Sequence, residues 1–521
     1  MAQRQQPMVI LSEDNERTQG EDAQDSNIRA GKAVANSVRT TLGPKGMDKM
    51  LVGSSGDVTI TNDGATILNE MDIEHPAAQM LVEVAETQEI EVGDGTTTAA
   101  VLAGELLAEA EELLEQDLHP TVITEGYNEA AELAQAAIDE QVIDTDLDDE
   151  TLQSVAESSM TGKGTGDVAA ELLAERVVSA VRQIATDDGI DREDIYIHTQ
   201  TGAASSATEL VEGVITDETP TSDTAPRQLS DATTAIVDTA LEFDTGEADA
   251  EYNITEVDQL NQAIEAEESE LREYAETLAD AGVDLLFTTD DIDDRVAGHL
   301  DNEGIVAFED VSSSDADSIS QATGARQLGT LEDIEDDDLG TTAGLSIESY
   351  GDDDLAFVEG ADTDHVTLFV RGSTDHVVDE LDRALNDAID VVIAALVEDG
   401  VVGGAGASEI AIADHVRSHA AGVEGRKQLA IEAFATAVDA VPRTLAENTG
   451  MDPIDALVDL RARHDAQGRA GLVSTEQSGT VGDPVEENIL DPTTVKREAI
   501  ESATEAATMI LRIDDVIESG D

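Results

Sequence analysis

The pattern of apolar and polar positions changes character twice along the 521 residues. Behind the GDGTT string at Gly93 to Thr97, Ala99, Leu102, Ala103, Leu106, Leu107, Ala110, Leu113 and Leu114 recur at helical spacing with glutamates opposite, which predicts a strongly amphipathic helix. Near the other end, Asp491 followed by Pro492 reads as a cap plus a first-turn proline, opening a helix through Val495, Ala499, Ala503, Ala506 and Ile510. Both ends therefore predict one helical layer. The middle predicts short strands, VDLLFTT from Val283, GIVAF from Gly304 and HVTLFVRG from His365, alternating with helical segments in an α/β pattern. Turn-rich stretches at 217–226 and 346–354 read as the borders of an insertion. Within it, residues 255–281 carry Leu260, Ile264, Leu271, Ala275 and Leu278 among many carboxylates, a long helix whose thin apolar stripe either projects into solvent or meets a partner.

The length suggests roughly three or four domains. Charge then changes the picture: Asp and Glu number 117 against 27 Lys and Arg, a formal net charge of −90. Disorder is one explanation, since only 2% of residues are aromatic. Life in concentrated salt is the other, and the 40% apolar fraction with carboxylates spread along the whole chain favours it. At ~1 M salt the Debye length falls to about 3 Å, which screens repulsion between surface carboxylates. The chain has no cysteine, so disulfides, thiol catalysis and zinc-thiolate sites are excluded and the compartment reads as cytoplasmic. The first residues hold too short an apolar stretch for a signal sequence, and later apolar runs are interrupted by charge, so no membrane span is expected. No basic patch exists to meet nucleic-acid phosphates.

Six lysines remain: Lys32, Lys45, Lys49, Lys163, Lys427 and Lys496. Lys45 in TLGPKGMDKM and Lys163 in SMTGKG adjoin glycines that let backbone amides approach an anion, although each string alone is also an ordinary turn. Neither fits the GxxxxGK[ST] phosphate loop. TNDGATIL places Asp63 beside a glycine, and EVGDGTTTAA places Asp94 between two glycines just before the amphipathic helix, whose orphan amides and positive dipole end suit phosphate. The same string is equally a cap and turn. LDRALNDAIDVV puts Asp387 on a helix with Leu381, Leu385, Ala388 and Val392 on its apolar face, and for an isolated Asp a solvated position is the plainer reading. VVGGAGASE supplies Gly403, Gly404 and Gly406 in a flexible loop.

Taken together and in order, these strings, with PRTLAENTGMDP and ILDPTTVK, closely resemble the group II chaperonins of the archaeal thermosome kind, over nearly the entire chain. The resemblance implies a multidomain α and α/β fold. It has a mostly helical equatorial ATPase domain (1–145 and 402–521), a small α/β intermediate hinge domain (146–214 and 366–401) and an α/β apical domain (215–365) with a helical protrusion as built-in lid. It implies ATP and Mg²⁺ as ligands, unfolded client proteins, and identical or paralogous subunits in a stacked double ring. Carried over by position, Leu42, Gly43, Pro44, Lys45, Gly95, Thr96, Thr97 and Thr98 would surround the phosphates and Asp94 would bind Mg²⁺. Gly404 would pack on the nucleotide and Asp491 would hydrogen-bond the ribose. Asp63 and Asp387 would position or activate the attacking water, and Lys163 would sense the γ-phosphate. Asp387 and Lys163 fall in the hinge segments, so they are expected to reach the phosphates only on domain closure.

The sequence departs from the family pattern at Gly403 and Ala405, where relatives carry a proline and a continuous glycine triplet, and at Asn386, often a histidine. The alternative to an ATP-hydrolysing folding machine is a weakly hydrolysing structural or regulatory ring subunit. Retention of Asp63, Asp94, Lys163 and Asp387 argues for the first.

Overall fold

The computed structural model describes residues 16–518 except 54–55, 57, 164–169, 187–188, 223, 244–256, 332–333, 352, 362–364, 398–399 and 475–478. Contacts divide the chain into two compact units, 1–178 with 383–521, and 179–382. The boundaries fall inside helices Ala170–Ile184 and Asp375–Val397. This is a multidomain α and α/β architecture.

The terminal unit is helical, as the apolar spacing predicts. Helix Thr96–Glu115 is its axis: Ala99, Leu102, Ala103, Leu106, Leu107 and Ala110 are all buried, and helices from both ends of the chain pack around it. Glu21–Val38, Pro76–Val92 and Pro120–Gln141 come from the first part, Lys427–Val438 and Thr493–Leu511 from the last. Small residues set the closest approach. A Cβ on Gly104 would overlap that of Ala35, so a larger residue there would force helix Glu21–Val38 off its partner. Tyr127 fills the opposite side, donating to the Leu106 carbonyl at 2.8 Å and meeting the Phe434 ring edge-on at 5.9 Å. Strands Glu16–Gln19 and Asp515–Glu518 pair antiparallel, so the two ends of the chain share one small sheet.

Two features differ from the sequence expectation. Asp491 does not cap a helix: Leu490–Pro492 is a strand paired with Val401–Gly403, and helix Thr493–Leu511 begins only behind Pro492. Ladder pairing of Asp491 with Val402 gives the backbone a partner, and the carboxylate turns elsewhere. The 346–354 stretch is not a border loop. It closes a hairpin between Gly340–Tyr350 and Asp353–Gly360, with Gly351 at φ 72° making the turn.

The central unit contains a mixed seven-stranded sheet. Strands Val214–Thr216, Asp353–Gly360, Gly340–Tyr350 and Gln228–Val237 run antiparallel, and Leu285–Thr288 and Val306–Phe308 continue in parallel. Alternation sends Ile236, Leu285 and Phe287 to a core under helix Ser313–Thr323, and Ala235, Val237 and Leu286 to a core under helices Val257–Asp280 and Asp294–Glu303. The predicted long helix is thus partly anchored: Leu271, Ala275 and Leu278 are buried, whereas Ile264 is 53% exposed. Residues 255 and 256, its expected start, lie outside the described residues. A separate three-stranded sheet joins Ile195–Thr201, Val366–Gly372 and Glu209–Glu212. Among the described residues no helix is long and apolar enough to cross a membrane.

Candidate functional site

Several loops of the terminal unit converge on a cavity of about 600 Å³. The first joins helix Pro76–Val92 to helix Thr96–Glu115 through Gly93 and Gly95, both left-handed at φ 68° and 86°. A Cβ on Gly93 would overlap Asp390, and one on Gly95 would reach Gln88 Nε2 at 2.9 Å, so space and conformation both demand glycine. No side chain caps the helix that follows, which leaves its first amides and the Thr96 and Thr97 hydroxyls at the cavity wall.

Asp63 sits beside this turn. One carboxylate oxygen caps helix Gly64–Asn69 by accepting from Thr66 N at 2.6 Å, and the other accepts from Thr96 Oγ1 at 3.2 Å. Both oxygens are therefore oriented. The Leu42–Lys45 segment lies across the cavity, with Gly43 at φ 84° against Leu445. The turn after helix Asp149–Met160 stacks on it: Asn62 Nδ2 donates to the Gly162 carbonyl at 2.7 Å, and a Cβ on Gly162 would meet Gly43 O at 2.9 Å. That stacking brings Lys163 into the wall, where its ammonium pairs with Asp387. Asp387 is 5% exposed, on the buried side of helix Asp375–Val397 and not on a solvated face.

At the far end, strand Leu490–Pro492 holds Asp491 in the cavity wall. Its carboxylate accepts from Lys496 Nζ at 2.8 Å, and Lys496 also reaches Glu409 Oε1 at 2.9 Å. A Cβ on Gly404 would come within 3.0 Å of Asp491 Oδ1, so glycine there leaves the carboxylate its place. Ala405 adopts φ 56°, a left-handed conformation in which an alanine methyl is strained. The departure from the glycine triplet thus falls at a position whose backbone suits glycine.

Every nucleotide-site residue expected from the sequence lines this cavity except Asp387 and Gly404. Those two stand directly behind Lys163 and Asp491. Lys163 and Asp387 share the compact unit of the phosphate-loop residues. Sequence reasoning passed over Asn62, Ser158, Ser159, Glu409 and Lys496, which also line it. Lys496 carried a signal, being one of only six lysines. Glu409, a buried glutamate inside a helix rich in apolar residues, carried little in a chain crowded with acid.

The electrostatics are uneven. Burial raises the Asp94 carboxyl above the usual carboxylate range, against the pull of Lys163. Burial and the Asp63 carboxylate push Glu89 up to about 8, and no donor among the described residues reaches its buried Oε2. For Lys496, burial favours the neutral amine, but Asp491 and Glu409 outweigh it and hold the ammonium charged. No group of three or more His, Asp or Glu among the described residues converges as a metal cage.

These features define a polar cavity lined by three lysines and an uncapped helix start, on a helical frame built from both ends of the chain. Residues 34–521 match the TCP-1/cpn60 chaperonin family, and the chain belongs to it. It is 66% identical to thermosome subunit 3 of Haloferax volcanii over 516 residues, 98% of each chain. To thermosome subunit 1 of the same organism it is 52% identical, covering all of this chain and 93% of that one. To the thermosome subunit alpha of Halobacterium salinarum it is 51% identical, over 99% of this chain and 92% of the other. It is a group II chaperonin subunit and depends on ATP.

Proposed function

We propose that the cavity binds Mg·ATP and hydrolyses it to drive the folding of client proteins. The observation that carries this reading is the convergence of Lys45 and Lys163, two of the six lysines of a chain with net charge −90, on one cavity that also holds an uncapped helix start. A triphosphate is the ligand that such a concentration of donors suits. Asp94 fits Mg²⁺. Its carboxyl is under-compensated, and one protein carboxylate with phosphate oxygens and water is the ordinary donor set for that ion. Bound there, the ion would neutralise charge on the phosphates.

The remaining roles are those the resemblance implies, and the geometry is compatible with them. Phosphoryl transfer needs little covalent help, so the protein supplies donors and an aligned water. Thr96, Thr97 and the neighbouring amides take the phosphate oxygens, with Leu42, Gly43, Pro44, Lys45, Gly95 and Thr98 shaping the pocket and Gly404 supporting the nucleoside end. Asp63, fixed by Thr66 and Thr96, and Asp387, held by Lys163, orient the water and receive its proton. Lys163 leaves Asp387 for the γ-phosphate, which ties the chemistry to movement of the segments that carry them.

The three-domain division given above belongs to this proposal, with the separate three-stranded sheet supporting an intermediate domain beside the larger apical one. So does assembly with identical or paralogous subunits in stacked rings, in the cytoplasm. The test is phosphate release in molar KCl with Mg²⁺ by wild type and Asp387→Ala. A loss of about 100-fold or more is expected, and equal rates would refute the catalytic assignment.

A further inference from the structure

The Glu409, Lys496 and Asp491 cluster is an expensive arrangement to keep. Lys496 stands in the first turn of helix Thr493–Leu511, where the dipole opposes a cation, and its side chain is only 11% exposed. Burial of an ammonium is unfavourable unless carboxylates surround it. Two do: Glu409 Oε1 at 2.9 Å and Asp491 Oδ2 at 2.8 Å. The set carries two negative charges against one positive, so it has acceptor capacity to spare. Glu409 is 4% exposed and no donor among the described residues reaches its buried Oε2. Asp491 is less covered, at 21% side-chain exposure, and faces the cavity. Gly404 closes the other side of the same carboxylate.

The three residues differ in what they touch. Glu409 is fixed within helix Ala407–Ala420 and lies inside the protein, and Lys496 links it to the strand that carries Asp491. Without the ammonium, Asp491 would have no other cationic partner among the described residues and would be free to rotate away from the wall. We infer that Lys496, anchored by Glu409, is a positioning residue that fixes the Asp491 carboxylate to accept hydrogen bonds from the ribose hydroxyls. This rests on the reading of Asp491 as the ribose contact. The relay makes discrimination for a nucleotide bearing both hydroxyls a property of three residues, two of which do not touch the sugar.

The test compares affinities for ATP and 2′,3′-dideoxy-ATP, with Mg²⁺ in molar KCl, by titration calorimetry on the full chain. Lys496→Met alone strands two buried carboxylates and threatens folding. The principal variant is therefore the double Lys496→Met, Glu409→Leu, which replaces the ion pair by apolar volume, an exchange that is often neutral for stability. Wild type is expected to prefer ATP by about tenfold or more, the value of hydrogen bonds to a charged acceptor. The double variant is expected to lose about tenfold for ATP and to stay within about twofold for the dideoxy analogue. A merely structural role would weaken both ligands equally and leave the ratio intact, which overturns the positioning role alone. If wild type itself shows no preference, the ribose reading of Asp491 falls and the inference falls with it.

Discussion

The two units of the molecule treat positive charge differently. All six lysines, Lys32, Lys45, Lys49, Lys163, Lys427 and Lys496, lie in the terminal unit, and the central unit has none. Five of them meet carboxylates or the cavity, with Lys32 on Glu111 at 2.6 Å, Lys427 on Glu129 and Lys163 on Asp387, while Lys49 donates to Thr40 Oγ1 at 2.7 Å. The central unit relies on arginine at its surface, with Arg227 on Asp354 at 2.8 Å and Arg295 shared between Glu267 and Asp293 at 2.8 and 3.1 Å. Lysine is a compact, strongly hydrated point charge, and arginine a planar fork suited to exposed bidentate pairing. The contrast teaches that a chain pressed toward acid keeps its ammonium groups where a phosphate or a buried carboxylate needs one.

Salt should have the largest effect on this contrast. The Debye length grows from ~3 Å at 1 M to ~30 Å at 0.01 M, so surface repulsion returns on dilution. Both units are expected to destabilise, the central one first, because the buried pairs of the terminal unit are screened less by salt than exposed ones. Region-resolved hydrogen exchange across a KCl series checks this, and uniform protection down to dilute buffer would break it. Next comes Phe287→Ala. Phe287 is fully buried and stacked on Phe308 at 5.0 Å between ring centroids, so its removal should cost the central unit about 3–5 kcal/mol. Nucleotide binding should survive, and its loss would show that the units are not energetically separate.

A smaller effect concerns Glu89 in the terminal unit. Its folded pKa of about 8 lies above its ordinary 4.5, so its contribution to stability is full below pH 4.5 and is lost as pH rises toward 8. Glu89→Gln should therefore melt higher than wild type at pH 8.5, without Mg²⁺ or nucleotide, and the gap should close toward pH 5. A gap independent of pH would assign the gain to packing. Smallest is Ala405→Gly, which relieves a left-handed alanine and should stabilise the terminal unit by at most about 1 kcal/mol, as measured by denaturant midpoint.

Much of the architecture is legible because periodicity survives the acidic composition. The helix after Gly95 stands out by its helical spacing, and the strands at Leu285, Val306 and Val366 as short, continuous, fully buried runs. Asp491 was misread as a cap because Asp-Pro has two local meanings, and only its ladder partner 89 positions away, Val402, selects between them. The 346–354 turn escaped for a related reason: Gly351 suits a loop or a hairpin, and the residues next to it, Ser349, Asp353 and Asp354, are the polar kind that loops carry. For the site, glycine-bearing strings pointed to Lys45, Asp63, Asp94 and Lys163. Asp387 could be placed only through resemblance, since nothing in its own segment tells a buried carboxylate from a solvated one. Glu409 and Lys496 make sense only as a pair across 87 positions of sequence.

The antiparallel pairing of Glu16–Gln19 with Asp515–Glu518 has a consequence for how the molecule is made. The terminal unit cannot be completed before the helix Thr493–Leu511 in its core and the strand beyond it have been made. The central unit, continuous from 179 to 382, has all its residues long before. Synthesis thus favours a central unit that forms early and a terminal unit that is closed later. A nascent chain stopped short of helix Thr493–Leu511 carries a finished middle and an open terminal unit.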